Sequence, residues 1–148
     1  MVNNATVQNI LKVIGNTSFN EKLVIGSLER LSTFNLYISE YEYFLFAFSI
    51  QKVESYIKNS CNTDCVPNGL LEVAVERVCG EVLFTKMQTG ELGDSFDFEN
   101  AIKSLKMGDT EITYSDKNIS EEEKVLSLIN TLKESGKGEL VRFRKMKW

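Results

Sequence analysis

Apolar residues recur along this chain mostly at helical spacing. Val7, Ile10, Leu11 and Ile14 fall at i, i+3, i+4 and i+7, one stripe of a short helix that Gly15 and Asn16 would stop. Val24, Leu28 and Leu31 repeat the pattern behind a candidate cap at Asn20, with Gly26 as a weak point in mid-helix. Ser39 with Glu42 reads as a capping box ahead of a four-turn stripe, Tyr43, Phe46, Ile50, Val53 and Ile57. A loop is expected over 59–64, and Pro67 suits the first turn of the helix that follows. Between Leu70 and Met87 apolar residues nearly surround that helix, so it should be central or lie between subunits.

The later chain is more broken. Residues 89–95 interrupt the pattern. Asp97 can cap a short helix carrying Phe98, Ala101, Ile102 and Leu105, with Gly108 after it. Over 109–115 the period changes: Ile112 and Tyr114 alternate with Glu111 and Thr113, as in a short strand or extended loop whose backbone needs a partner. Ser120 with Glu123 is a second capping box, and Val125, Leu128, Ile129 and Leu132 form the last stripe. Gly136 and Gly138 would then release the chain into a terminal segment. The expected fold is mainly α: a compact helical bundle over 1–138, one short strand or extended loop, and an extended C-terminal arm over 139–148. There is no internal repeat.

Charge sharpens the view of that arm. Arg142, Arg144, Lys145 and Lys147 face one acid, Glu139, so residues 139–148 carry +3; the whole chain is −4, which leaves −7 on residues 1–138. An acidic body argues against the whole domain gripping nucleic acid. The arm has three readings: a frayed terminus, a nucleic-acid arm of cations and aromatics, or a protein-docking arm. Phe143, Met146 and Trp148 are costly to leave wet, and Arg and Trp are typical interface anchors, which favours docking. Glu111, Ile112, Thr113 and Tyr114 are the candidate contact with a neighbouring copy.

Candidate chemistry is sparse. The chain has no histidine, which removes the commonest general base and the Ser-His and Cys-His nucleophile pairs. Neither a phosphate-binding loop nor a dinucleotide fingerprint is present. Cys61 and Cys65 lack zinc-knuckle spacing and a second ligand pair, and with Cys79 they read as reduced thiols. Asp94, Asp97 and Glu99 lack the order of a calcium loop and fit a helix N-terminus better. Glu72, Glu76 and Glu81 read as solvated residues, with Arg77–Glu81 as an i,i+4 pair. No catalytic residue, cofactor or metal is therefore expected. No signal peptide is visible, and the longest apolar run, Tyr43–Phe48, is far short of the roughly 20 residues that span a bilayer. A cytoplasmic site of synthesis is expected.

Several stretches together resemble a known family. They are Val66-Pro67-Asn68-Gly69-Leu70, Gly80-Glu81-Val82-Leu83, Phe96-Asp97-Phe98-Glu99, residues Lys103 to Thr110 (KSLKMGDT), and the ending Arg142-Phe143-Arg144-Lys145-Met146-Lys147-Trp148. In order and spacing the chain resembles, over about residues 40–148, the small head–tail connector (head-completion or adaptor) proteins of tailed bacteriophages and prophages. Residues 1–38 lie outside the likeness. The resemblance implies a non-enzymatic virion protein of the neck, made in the bacterial cytoplasm. It implies a cyclic homo-oligomer, twelvefold in the family, that docks on the portal protein, extends the DNA channel without sequence-specific binding, and receives the next neck or tail protein. Arg142, Phe143, Arg144, Lys145, Met146 and Trp148 would dock on the portal. The rival readings are a stopper or tail-completion factor, and a small helical nucleic-acid-binding regulator.

Overall fold

The computed structural model describes residues 3–92, 96–100 and 121–146, and among these there are helices and turns but no strand. The described residues form a mainly α bundle in which six helices pack together. α1 (Asn4–Ile14) starts at Asn3, whose side-chain oxygen accepts from Ala5 N, and stops at Gly15, φ 98°. α2 (Ser18–Thr33) is capped by Thr17, whose hydroxyl oxygen accepts from Asn20 N. Asn20 is therefore not the cap of α2. Its Nδ2 donates to Ile14 O at 3.3 Å and Gly15 O at 2.9 Å, satisfying carbonyls left open at the end of α1 and fixing the tight α1–α2 corner.

α3 (Tyr43–Cys61) follows a single 3₁₀ turn, Glu40–Glu42. The expected capping box takes another form: Ser39 Oγ donates to Glu42 Oε1 at 3.0 Å and caps no backbone N–H. The other Glu42 oxygen, Oε2, sits 2.7 Å from Lys86 Nζ. The helix also runs to Cys61, into the expected loop, and ends where Asn62 turns left-handed at φ 51°. α4 (Leu71–Gln88) is entered through Pro67 and a 3₁₀ turn, Asn68–Leu70. α5 (Glu121–Lys133) and α6 (Lys137–Arg142) complete the set.

The broadly apolar α4 is the centre, packed against α2, α3 and α5, while α1 lies on α2 and α3. Glycines let the central crossings close. A Cβ on Gly26 would lie 3.0 Å from Val75 Cγ2, and one on Gly80 would lie 2.8 Å from Lys133 N. The helix propensity lost at Gly26 thus goes with a close α2–α4 approach. The stripes foreseen on α1, α3 and α5 point inward: Ile10, Phe46, Ile50, Ile57, Leu128 and Ile129 are fully buried. Phe34 joins them and meets Phe96 edge-on at 6.3 Å. Asp97 N donates to Phe34 O, and Asp97 Oδ1 accepts from Asn100 N, the cap expected there. Residues 101–120, which include the expected strand Glu111, Ile112, Thr113 and Tyr114 and the cap Ser120, lie outside the described residues.

The thiols separate by environment. Cys79 is buried with its Sγ 3.7 Å from Ser27 O, and Cys61 is buried with its Sγ 3.5 Å from Leu140 O; Cys65 is exposed. Burial pushes both interior thiols up in pKa, Cys79 strongly. Since the thiolate is the nucleophile, a thiol reagent at neutral pH should label one cysteine of the native protein quickly and all three only after denaturation. A second thiol reacting as fast as Cys65 would contradict this burial.

Candidate functional site

The terminal segment singled out from the sequence is not a free arm. Gly136, at φ 73°, reverses the chain after α5, and the next residues wind into α6, which spans Gly138 and ends at Arg142. Leu140 on α6 is buried, and its carbonyl accepts from the Cys61 thiol. Phe143 is half-buried with its ring against the backbone of Gly69: a Cβ there would be 2.5 Å from Phe143 Cζ. Lys145 N donates to Cys61 O at 2.8 Å, and Asn62 Nδ2 donates to Lys145 O at 3.1 Å. The end of α3 thus holds the segment by its backbone, and two stretches far apart in sequence, 66–70 and 142–146, meet in space.

What the anchored segment turns outward is both basic and apolar. Arg142, Arg144 and Lys145 are exposed, and so are Val141 and Met146. No ion pair among the described residues takes any of these three cations. Five of the six residues expected to dock are thereby placed on one short strip, with Phe143 as its inward peg. Trp148 lies outside the described residues.

A second surface escaped the sequence reading. Tyr41 is 98% exposed and Phe44 77%, with Phe48 also largely in solvent. Phe44 and Phe48 are one turn apart on α3, on the side away from the buried Phe46 and Ala47. The inward stripe read from the sequence takes only Tyr43 and Phe46 from the Tyr43–Phe48 run, and the helical spacing turns Phe44 and Phe48 to the other face. Phe44 and Phe48 thus form an exposed aromatic pair on α3, a candidate contact surface.

The acids of α4 depart from expectation. Glu76 Oε1 is 2.8 Å from Arg30 Nε, and Glu81 binds Lys52 at 3.0 Å and Lys133 at 3.8 Å. They bridge helices and are only partly exposed, where solvated residues were expected. The Arg77–Glu81 pair does not form. Arg77 Nε donates instead to Ser135 O at 2.7 Å, and its guanidinium lies 4.8 Å from the centre of the Tyr56 ring. Among the described residues no three Cys, Asp or Glu side chains converge to hold a metal ion, and no helix is long and apolar enough to cross a membrane.

No family model matches this chain, and no curated protein or solved structure is significantly similar to it.

Proposed function

We propose that the chain is a structural neck protein of a tailed phage or prophage, an adaptor that forms a ring on the portal and extends the DNA channel towards the tail. The observation that carries the reading is the anchored terminal strip. Leu140 and Phe143 tie it down, and Arg142, Arg144, Lys145, Val141 and Met146 point outward from a chain whose net charge is negative. Arginine beside exposed apolar side chains is the composition of a protein-docking patch. The sequence resemblance supports the same reading.

A closed ring needs two different faces on each protomer. The terminal strip is fastened to the C-terminal end of α3, and Phe44 and Phe48 sit in its first half. At 1.5 Å per residue the two lie about 20–25 Å apart along the helix, too far to cover one another within one chain. In this reading the strip meets the portal, the aromatic face serves a neighbouring copy or the next neck or tail protein, and the acidic body lets DNA pass ungripped. The role is one of assembly and includes no catalysis.

The geometry dictates the test. Cutting the chain at Gly138 would remove buried Leu140 and damage the body, so the exposed charges should be reversed instead. Arg142→Glu with Arg144→Glu and Lys145→Glu leaves both anchors in place. In co-sedimentation with the portal of the same phage, the triple variant should bind about ten-fold or more weakly than the parent, as loss of a charged anchor patch does. Equal binding by the two proteins would overturn the assignment of the strip. Steeply salt-dependent DNA binding by the parent, with none to the portal, would favour the regulator instead.

A further inference from the structure

Arg77 is the most unusual side chain in the bundle. It is 6% exposed, and its Nη2 is buried without a hydrogen-bond partner. Nε is satisfied by Ser135 O, and the Tyr56 ring lies at 4.8 Å, yet no carboxylate among the described residues is paired with this guanidinium. A guanidinium cannot shed its charge, and a buried cation without a counter-ion is costly. The other partly buried cations behave differently: Lys86 has Glu42, and Arg30 has Glu76.

Arg77 lines a cleft of about 360 Å³ between α3, α4 and the α5–α6 corner. Lys52, Lys133 and Lys137 line it too, so four cations face two carboxylates, Glu81 and Glu134. Glu81 is held by Lys52 and Lys133, and Glu134 by Lys137. Two positive charges are therefore left over, one on Arg77 and one on the two lysines that share Glu81. The cleft has the size of a small-ligand site, with an aromatic wall at Tyr56.

We propose that this cleft is a binding site for a phosphate-type oxyanion, with Arg77 as the buried anchor and Lys52, Lys133 and Lys137 as its rim. The part of the guanidinium that lines the cleft supplies a charge-assisted hydrogen bond to one oxygen. The bond from Nε to Ser135 O holds the planar head in place, which lowers the ordering cost of binding. An anion here would also join α3 and α4 to the corner that leads into α6. The proposal does not rest on the neck reading, and either can fail without the other.

The probe is inorganic phosphate, titrated against the full chain by calorimetry and by thermal unfolding, with chloride at matched ionic strength as reference. Saturable binding and a rise in Tm with phosphate alone are expected. Arg77→Lys keeps the charge but loses the fork, and it should weaken phosphate binding at least ten-fold. Because Arg77 also clips Ser135, Lys52→Ala is the second variant: it removes a largely exposed rim cation and leaves Glu81 its Lys133 partner, and a several-fold loss is expected. A nucleoside monophosphate binding more tightly than phosphate would identify an organic phosphate as the ligand, and equal binding a free ion. Absence of saturable binding by the parent, or unaltered binding by a folded Arg77→Lys protein, would overturn the site.

Discussion

Lys86→Met should destabilise the protein by about 3 kcal/mol in urea unfolding, the low end of what breaking a buried ion pair costs. The ammonium of Lys86 is almost wholly buried at the last turn of α4, 2.7 Å from Glu42 Oε2. Methionine keeps the packing of the stem and removes only the charge. What remains is a carboxylate 19% exposed, short of water and without its partner. The low end applies because that residual exposure lets some solvent in. Replacing Glu42 by glutamine as well should return half or more of the loss, since the harm lies in the orphaned charge. A Lys86→Met protein within 1 kcal/mol of the parent would show that the pair contributes little. The pair joins the turn before α3 to the end of α4, so its loss should also loosen the aromatic surface built on Tyr41 and Phe44.

Gly136→Ala should be the more damaging of two superficially equal substitutions. Gly136 sits at φ 73° and ψ 19°, and a Cβ there would fall 2.5 and 2.6 Å from the two γ-carbons of Val73. Val73 is buried and stiff at χ1, so it cannot swing aside. Strained backbone and overpacking together should cost about 2–5 kcal/mol. Gly138, two residues on, is helical with open space around it. Alanine there should be neutral or stabilise by up to about 1 kcal/mol through helix propensity. Thermal unfolding of the two variants side by side decides the matter, and equal stability would mean that the corner tolerates a side chain. Gly136 also aims α6, so under the proposed neck role its alanine variant should weaken portal binding, while the Gly138 variant should not.

The helices that carry the core were legible because their signal is local. Four-turn stripes such as Tyr43–Ile57 and the broad apolar surface of α4 predict elements, inward faces and the central position of α4. Misreadings arose where a side chain answers to a distant partner. Asn20 looks like a helix start, but its amide serves the preceding helix. Arg77 has an acid four residues on, yet the backbone of Ser135 and the ring of Tyr56 claim it. α6 is six residues long, too short for any period to show, so two glycines suggested a free arm where the chain turns and docks. In the terminal site the residue types were legible and their posture was not: the peg, Phe143, is recognisable only once Gly69 is beside it.

The fastening of residues 143–146 has a consequence for reach. Among the described residues, apart from two backbone hydrogen bonds back to α6, from Phe143 N to Leu140 O and Arg144 N to Val141 O, one half-buried ring and two hydrogen bonds to Cys61 and Asn62 hold these four residues to the bundle. Contacts so few can open locally at far less cost than global unfolding. Four residues drawn out straight extend at most about 14 Å. A partner could thus be engaged across that gap while α6 and the helices behind it stay folded, and the segment would act as a short tether that tightens when Phe143 returns to Gly69.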